Sequence, residues 1–246
     1  MVLETAGSFK TMRRVGAVVG DLLKVMGKEA KPGISTNELD RIAEKFIRSQ
    51  GALPAFKGYH NYPATICASP NETVIHGIPN DRLLEDGDIL GVDVGAVVDG
   101  YYADAARTFA IGVIDKASEH LIEVTRRSLD LAIAKAVAGN YLGDIGWAVQ
   151  EYAEKEGLSV VRQYVGHGIG RNLHEEPQVP NVGKPNHGLE LVEGMALAIE
   201  PMLNLGSYQV ETLSDGWTVV TKDRKRSAHF EQTVIVGRDR AEILTN

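Results

Sequence analysis

The apolar and polar positions divide the chain into two helix-rich stretches, each followed by strand-like runs. From Ser8 to Ala30, Met12, Val15, Val19, Leu22, Leu23 and Met26 fall on one helical face, which Lys31-Pro-Gly33 ends. Ser35-Thr-Asn-Glu38 has the spacing of a capping box, and Leu39, Ile42, Ala43, Phe46 and Ile47 give a second helix its buried face up to Gly51. The glycine- and aromatic-bearing run from Pro54 to Cys67 reads as loop leading into strand, and Cys67 to Ile78 is strand-like around Val74-Ile75. Two apolar runs then flank Asp99-Gly100, a dipeptide that supplies the positive φ angles of a two-residue hairpin turn. The helical period returns from Ser118 to Val137, with Leu121, Ile122, Leu129, Ala132 and Ile133 apolar. Asp144 can cap a further helix through Ala148, Val149 and Tyr152 to Gly157.

The second half echoes the first. Gly33 and Gly51 bracket one helix and Gly139 and Gly157 another, each pair 18 residues apart and the pairs offset by 106. Leu84-Glu-Asp-Gly87-Asp-Ile-Leu-Gly-Val-Asp93 matches Leu191-Val-Glu-Gly194-Met-Ala-Leu-Ala-Ile-Glu200 at an offset of 107, each ending in an acid. His76-Gly-Ile78 also recurs as His167-Gly-Ile169, at an offset of 91. In the same order, these echoes indicate a duplicated helix-helix-sheet unit. The expectation is one α+β domain over residues 1–246, with pseudo-symmetric halves of roughly 1–115 and 116–246 about a central cleft.

The hairpin carries the first chemistry. With Asp99 and Gly100 as the loop, Asp93 lies opposite Ala106 and Asp104 opposite Gly95, so both acids share a face as diagonal neighbours. Two such carboxylates repel and resist burial, so a positive group belongs between them. Arg107 faces away in this register, which makes a metal the first choice. The duplication makes Glu200 the counterpart of Asp93, and Glu231, the acid in a buried run, the counterpart of Asp104. His167, in Gly166-His-Gly-Ile-Gly170, adds an imidazole. Two divalent cations would neutralise four carboxylates, the arrangement of two-metal hydrolases with ions about 3.5–4 Å apart. Oxygen-dominated ligation favours Mn, Co, Fe or Mg over a structural zinc.

Taken singly, these residues have plainer readings. Glu200 before Pro201 closes a strand, His167 is equally a structural histidine, and His76 and His174 are surface or core histidines. Cys67 is a small buried apolar residue, and Phe56, Tyr59, Tyr62 and Trp217 are ordinary core or rim aromatics. His60, His120, His187 and His229 are read as structural.

Composition narrows the classes further. The chain of 246 residues, 43% hydrophobic with a net charge of −7, can bury a sizeable core and lacks the basic surface of a nucleic-acid binder. Lys222 to Arg226 reads as a short solvated loop. Cys67 is the only cysteine, which excludes an internal disulfide and a cysteine-based zinc site. Met1 to Lys10 lacks the pattern of a signal peptide and no apolar run spans a bilayer, so no membrane partner and a cytoplasmic setting are expected.

Asn71-Glu-Thr-Val-Ile-His76-Gly-Ile-Pro, Gly87-Asp-Ile-Leu-Gly-Val-Asp93-Val-Gly, Asp99-Gly-Tyr-Tyr-Ala-Asp104, Gly166-His-Gly-Ile-Gly-Arg-Asn-Leu-His174-Glu-Glu-Pro, Ala198-Ile-Glu200-Pro and Phe230-Glu231-Gln-Thr together resemble the methionine aminopeptidases of the shorter, bacterial-type class. The resemblance spans residues 53–236 and implies the pseudo-twofold pita-bread fold. It implies hydrolytic removal of the N-terminal methionine from peptides and nascent chains whose second residue is small and uncharged. Two divalent ions, Co, Mn, Fe or Zn, come with it. Asp93 would hold one ion, Asp104 and Glu231 would bridge both, and His167 and Glu200 would hold the other. Glu200, His76 and His174 are the implied catalytic residues, Glu200 carrying the proton and His174 meeting the scissile amide. The implied methionine pocket includes Tyr59, Tyr62, Cys67, Leu173 and Trp217. Leu173 stands where the family commonly has an aromatic and Phe56 where a cysteine can occur, which bears on pocket shape rather than chemistry. A monomer that meets nascent chains, with the ribosome as a place of encounter, is the implied setting. The rivals are an Xaa-Pro aminopeptidase or creatinase-like hydrolase, which usually carries an extra N-terminal domain, and a metal-free peptide- or ribosome-binding relative, against which the intact acid set argues.

Overall fold

Four helices lay the apolar stripes of the sequence onto antiparallel sheets. In the computed structural model, which describes residues 2–246, α1 spans Ala6–Glu29, α2 Thr36–Ser49, α3 Lys116–Ile133 and α4 Leu142–Lys155. Met1, the first residue of the stretch read as lacking a signal peptide, lies outside the described residues. All six apolar positions of the first stripe are fully buried in α1. This helix begins before Ser8 because Thr5 caps it: Thr5 Oγ1 accepts the Ser8 N–H at 3.1 Å, and Ser8 Oγ accepts the Thr5 N–H at 3.2 Å. At α2 only half of the expected capping box forms. Ser35 Oγ accepts the Glu38 N–H at 3.1 Å, whereas the Glu38 carboxylate turns outward to Arg41. Asp144 does not cap α4 but sits within its first turn, where its carboxylate accepts the Tyr141 N–H at 2.7 Å and the Asn186 N–H at 2.9 Å.

The hairpin Ile89–Val98/Tyr101–Ala110 is the spine of the first sheet. Its register runs from Val98 opposite Tyr101 to Ile89 opposite Ala110, with Asp93 facing Ala106 and Gly95 facing Asp104 as the two-residue turn requires. Asp99 at φ 51° and Gly100 at φ 73° make that turn. The other edge of Ile89–Val98 pairs with Ile66–Pro70 and Leu53–Pro54. The second sheet runs in the order Glu242–Ile243, Gln232–Ile235, Ala196–Ile199, Gly166–Gly168, Glu175–Val179. One apolar cluster fills the space between the first sheet and α1 and α2, and a second lies beneath α3 and α4.

The two sheets meet strand to strand. The Glu231 N–H donates to Ala106 O at 2.9 Å. On either side a threonine hydroxyl completes the seam. Thr108 Oγ1 accepts the His229 N–H and donates to His229 O, both at 2.9 Å, while Thr233 Oγ1 accepts the Asp104 N–H at 3.1 Å and donates to Asp104 O at 2.8 Å. The seam carries acids from both sheets to one place.

The repeated helix brackets have a physical cause. Gly33, Gly51, Gly139 and Gly157 all adopt positive φ, the left-handed conformation in which helix ends and the turns beside them favour glycine. The recurrence of His-Gly-Ile has no such counterpart. His167 lies in a strand paired with Ala196–Ile199, whereas His76 follows Thr73–Ile75 at φ 59°. Thr73–Ile75 pairs instead with Val219–Thr221, which brings the Trp217 segment toward the first half. Arg226, expected in a solvated loop, is half-buried and donates to Asp115 Oδ2 at 2.9 Å and to Gly87 O at 2.8 Å. Among the described residues no helix is long and apolar enough to cross a membrane.

Gly95 is a close approach rather than a turn. A Cβ there would lie 2.6 Å from Phe56 Cε1 and 3.0 Å from Ala55 Cβ. Gly95→Ala is expected to cost about 1–3 kcal/mol by overpacking, read from equilibrium denaturation. A variant as stable as the parent would mean that Phe56 swings clear.

Candidate metal centre

Asp104, His167 and Glu231 are buried together, with one ligand atom from each within 4.8 Å of the others. His167 Nε2 lies 3.4 Å from Asp104 Oδ2 and 3.7 Å from Glu200 Oε1. Gln232 pairs with Ile199 and the Phe230 N–H bonds Pro201 O at 3.3 Å, which sets Glu200 directly opposite Glu231. Asp93 and Asp104 are instead diagonal on their hairpin, so the two acid pairs are not copies in detail. Asp93, Asp104, His167, Glu200 and Glu231 converge on a cavity of about 340 Å³.

The strand holding His167 is pressed between its neighbours. A Cβ on Gly166 would sit 2.3 Å from Ala198 O, and one on Gly168 2.3 Å from Glu176 O. His167 Nδ1 lies 2.9 Å from Gly168 O. A carbonyl only accepts, so Nδ1 carries the proton and Nε2 is left facing the acids.

The centre is electrostatically uneasy on its own. Burial, and then the neighbouring carboxylates, push Asp93 and Glu231 well above the usual carboxylate range. Burial opposes protonation of His167, but Asp104 and Glu200 outweigh it and lift its pKa to about 9. Asp93 Oδ1 is buried with no hydrogen-bond partner. An orphaned carboxylate oxygen among further acids and one imidazole is a donor set that fits divalent cations.

The walls are apolar and aromatic. Tyr59, Tyr62, Cys67, Leu173 and Trp217 line the cavity, as do His76 and His174. Tyr62 Oη sits 3.0 and 3.1 Å from Ile66 O and Gly77 O, and its ring meets Trp217 edge-on at 5.0 Å between centroids. Burial pushes the Cys67 thiol up, and adjacent Asp93 adds to this, so the thiol is neutral wall rather than nucleophile. Leu173 and Phe56 are both buried wall residues. His174 Nδ1 is 2.8 Å from Tyr59 Oη, with its ring 4.3 Å from that of His167. Burial lowers His76 to about 4, and burial together with His167 lowers His174.

The cavity is also lined by His60, read from the sequence as structural, by Ile75, read only as part of a strand, and by Tyr164 and Val165, which stand outside the sequence reading. His229, read as structural, is 3% exposed with Nε2 3.6 Å from Glu200 Oε2. It ends the strand Ser227–His229, two residues before Glu231. Tyr164 had no local signal.

A duplicated α+β fold with an acid-rich centre beneath an apolar cavity defines a metallohydrolase of the pita-bread class. The chain belongs to metallopeptidase family M24, whose sequence model matches residues 10–238. It is 51% identical over 246 residues to the methionine aminopeptidase of Clostridium acetobutylicum, covering 100% of this chain and 98% of that one. It is 49% identical over 245 residues to methionine aminopeptidase 1 of Bacillus subtilis, covering 100% and 99%. The crystal structure of methionine aminopeptidase from Rickettsia prowazekii matches with a TM-score of 0.98 at 42% identity, each chain covered to 100%.

The pKa directions set a stability profile for metal-free protein. His167, raised from 6.5 to about 9, contributes stability that is complete below 6.5 and lost as pH rises through 9. The raised Asp93 and Glu231 act with the same sign, favouring the folded state while protonated. Chelated protein is therefore expected to melt at falling temperature between pH 6.5 and 9, and Asp104→Asn, which removes the largest influence raising His167, to make that fall smaller. Scanning calorimetry checks both; a melt that rises over this window would contradict the assignment.

Proposed function

We propose that this chain removes the amino-terminal methionine from peptides and nascent polypeptides whose second residue is small and uncharged. We further propose that it works with two divalent cations held by Asp93, Asp104, His167, Glu200 and Glu231. The observation that carries the reading is the cavity, with acids and an imidazole at its floor and an apolar, aromatic wall. The methionine aminopeptidases of Clostridium acetobutylicum, Bacillus subtilis and Rickettsia prowazekii, each matched over the full chain, support it.

Asp104 and Glu231, brought together at the seam, would hold the ions together with Asp93, His167 and Glu200. The oxygen-rich set favours Mn, Co or Fe, with Zn also admitted by the imidazole. When bound, the ions supply Lewis acidity that makes water nucleophilic near neutral pH and polarises the scissile carbonyl. Glu200 takes the proton of the attacking water and returns it to the leaving amine. His174 has Nδ1 committed to Tyr59 Oη, which leaves Nε2 to bond the scissile amide and steady its developing charge. His76 is neutral near pH 7 and contacts the substrate without adding charge.

The wall selects the side chain. Methionine bends into irregular apolar space and gains roughly 0.3–1.5 kcal/mol from sulfur-aromatic contact. A lysine in its place would bury an unpaired ammonium. The enzyme acts as a single catalytic domain, with halves of roughly 1–115 and 116–246, and as a cytoplasmic monomer that meets nascent chains as they leave the ribosome.

Three outcomes test this reading. Thorough chelation should abolish turnover of Met-Ala-Ser and added Mn or Co restore it, while Asp104→Asn should weaken metal binding and remove activity; full activity without metal would end the proposal. His174→Ala should lower kcat by about 10²–10³-fold, the scale of one lost oxyanion contact, with metal content unchanged by elemental analysis. Met-Ala-Ser should be cleaved, and Lys-Ala-Ser and Met-Lys-Ser resist, with Leu173→Phe shifting first-residue preference more than metal affinity. An Xaa-Pro peptide turned over faster than Met-Ala-Ser would move the chain to the rival activity.

A further inference from the structure

We infer that His229 is a positioning residue for Glu200, holding one carboxylate oxygen aside so that the other alone faces the centre. The inference rests on the proposed reading of Glu200 as ligand and base. The two oxygens of Glu200 have different surroundings. Oε1 lies 3.7 Å from His167 Nε2, within the centre, and Oε2 lies 3.6 Å from His229 Nε2, outside it. His229 Nε2 is buried and has no hydrogen-bond partner, a costly state for an imidazole nitrogen that Oε2 is placed to relieve. A small rotation of the Glu200 side chain closes 3.6 Å to a hydrogen bond, with the proton on Nε2.

The backbones of both partners are independently fixed. Thr108 Oγ1 bonds both the N–H and the carbonyl of His229 at 2.9 Å, and Ser227–His229 pairs with Met202–Asn204. Asn181 Nδ2 donates to the Glu200 carbonyl at 3.0 Å. Met202 pairs with His229 and Ile199 with Gln232 in one continuous register, so the two-residue link between those strands that sets Glu231 opposite Glu200 also leaves His229 beside it. The seam therefore sets a ligand and the support of another ligand in one step. A carboxylate held this way would keep Oε1 turned to the centre, where it would serve as donor to an ion or to a proton.

The test uses the full chain, stripped of metal and titrated with Mn(II) by calorimetry, alongside steady-state turnover of Met-Ala-Ser. His229→Leu, which removes the donor and keeps bulk, should weaken Mn(II) binding and lower kcat by about 10–100-fold, with KM moving less. His229→Gln places an amide N–H within reach and should restore both; His229→Asn, too short to reach, should behave as Leu does. The Asn and Gln pair decides the matter if the Leu variant fails to fold. Parental affinity and kcat in the Leu or Asn variant, or a Gln variant no better than Asn, would overturn the inference. Glu200→Gln serves as the reference: if it binds Mn(II) as tightly as the parent, the reading of Glu200 fails and the inference with it. If it binds weakly while Leu and Asn bind normally, only the inference fails.

Discussion

A backbone hydrogen bond between Glu231 and Ala106, flanked by the hydroxyls of Thr108 and Thr233, joins the two sheets on which the rest of the molecule is built. Side chains alternate along a strand, so this contact decides which of them meet. It puts Asp104 and Glu231, from opposite halves, into one cluster with His167. A slip of one residue in either strand pair would send an acid to the far face and an apolar residue to the centre. The Asp99-Gly100 turn, with both residues at positive φ, guards against that slip in the first half.

The fold sustains a centre that opposes its own formation. Carboxylates taken out of water repel one another, and Asp93 and Glu231 respond by holding protons more tightly. Two separate apolar clusters, one under α1 and α2 and one under α3 and α4, supply the surrounding stability. The acids can therefore be held in a strained arrangement that cations relieve, as expected of sites selected for chemistry rather than stability.

Specificity and chemistry are divided between regular and irregular backbone. The acids stand on or beside strands whose register is tightly set. The wall comes from loops and strand ends: Tyr59 precedes His60 and Asn61 at positive φ, His76 is itself at φ 59°, and Trp217 enters on a segment from the other half. Strand placement suits ligands that must hold their geometry, and loop placement suits a wall shaped to one side chain.

Much of this was legible along the chain because short-range rules govern it. The stripe of α1, the Asp99-Gly100 turn and the diagonal of Asp93 and Asp104 follow from helical and strand periods and one turn type. The duplication was visible because helix ends in both halves use left-handed glycines. Local rules failed at helix starts: Glu38 turned to Arg41 instead of closing its capping box, and Asp144 moved into the first turn of its helix. They failed again with His76, whose motif repeats that of His167 without its place in a sheet. Only the tertiary structure decided that His229 lies beside Glu200, that Tyr164 lines the cavity, and that Glu231 crosses to Ala106. Those contacts join residues far apart in the chain, and periodicity reports which face a side chain occupies but not which distant strand that face will meet.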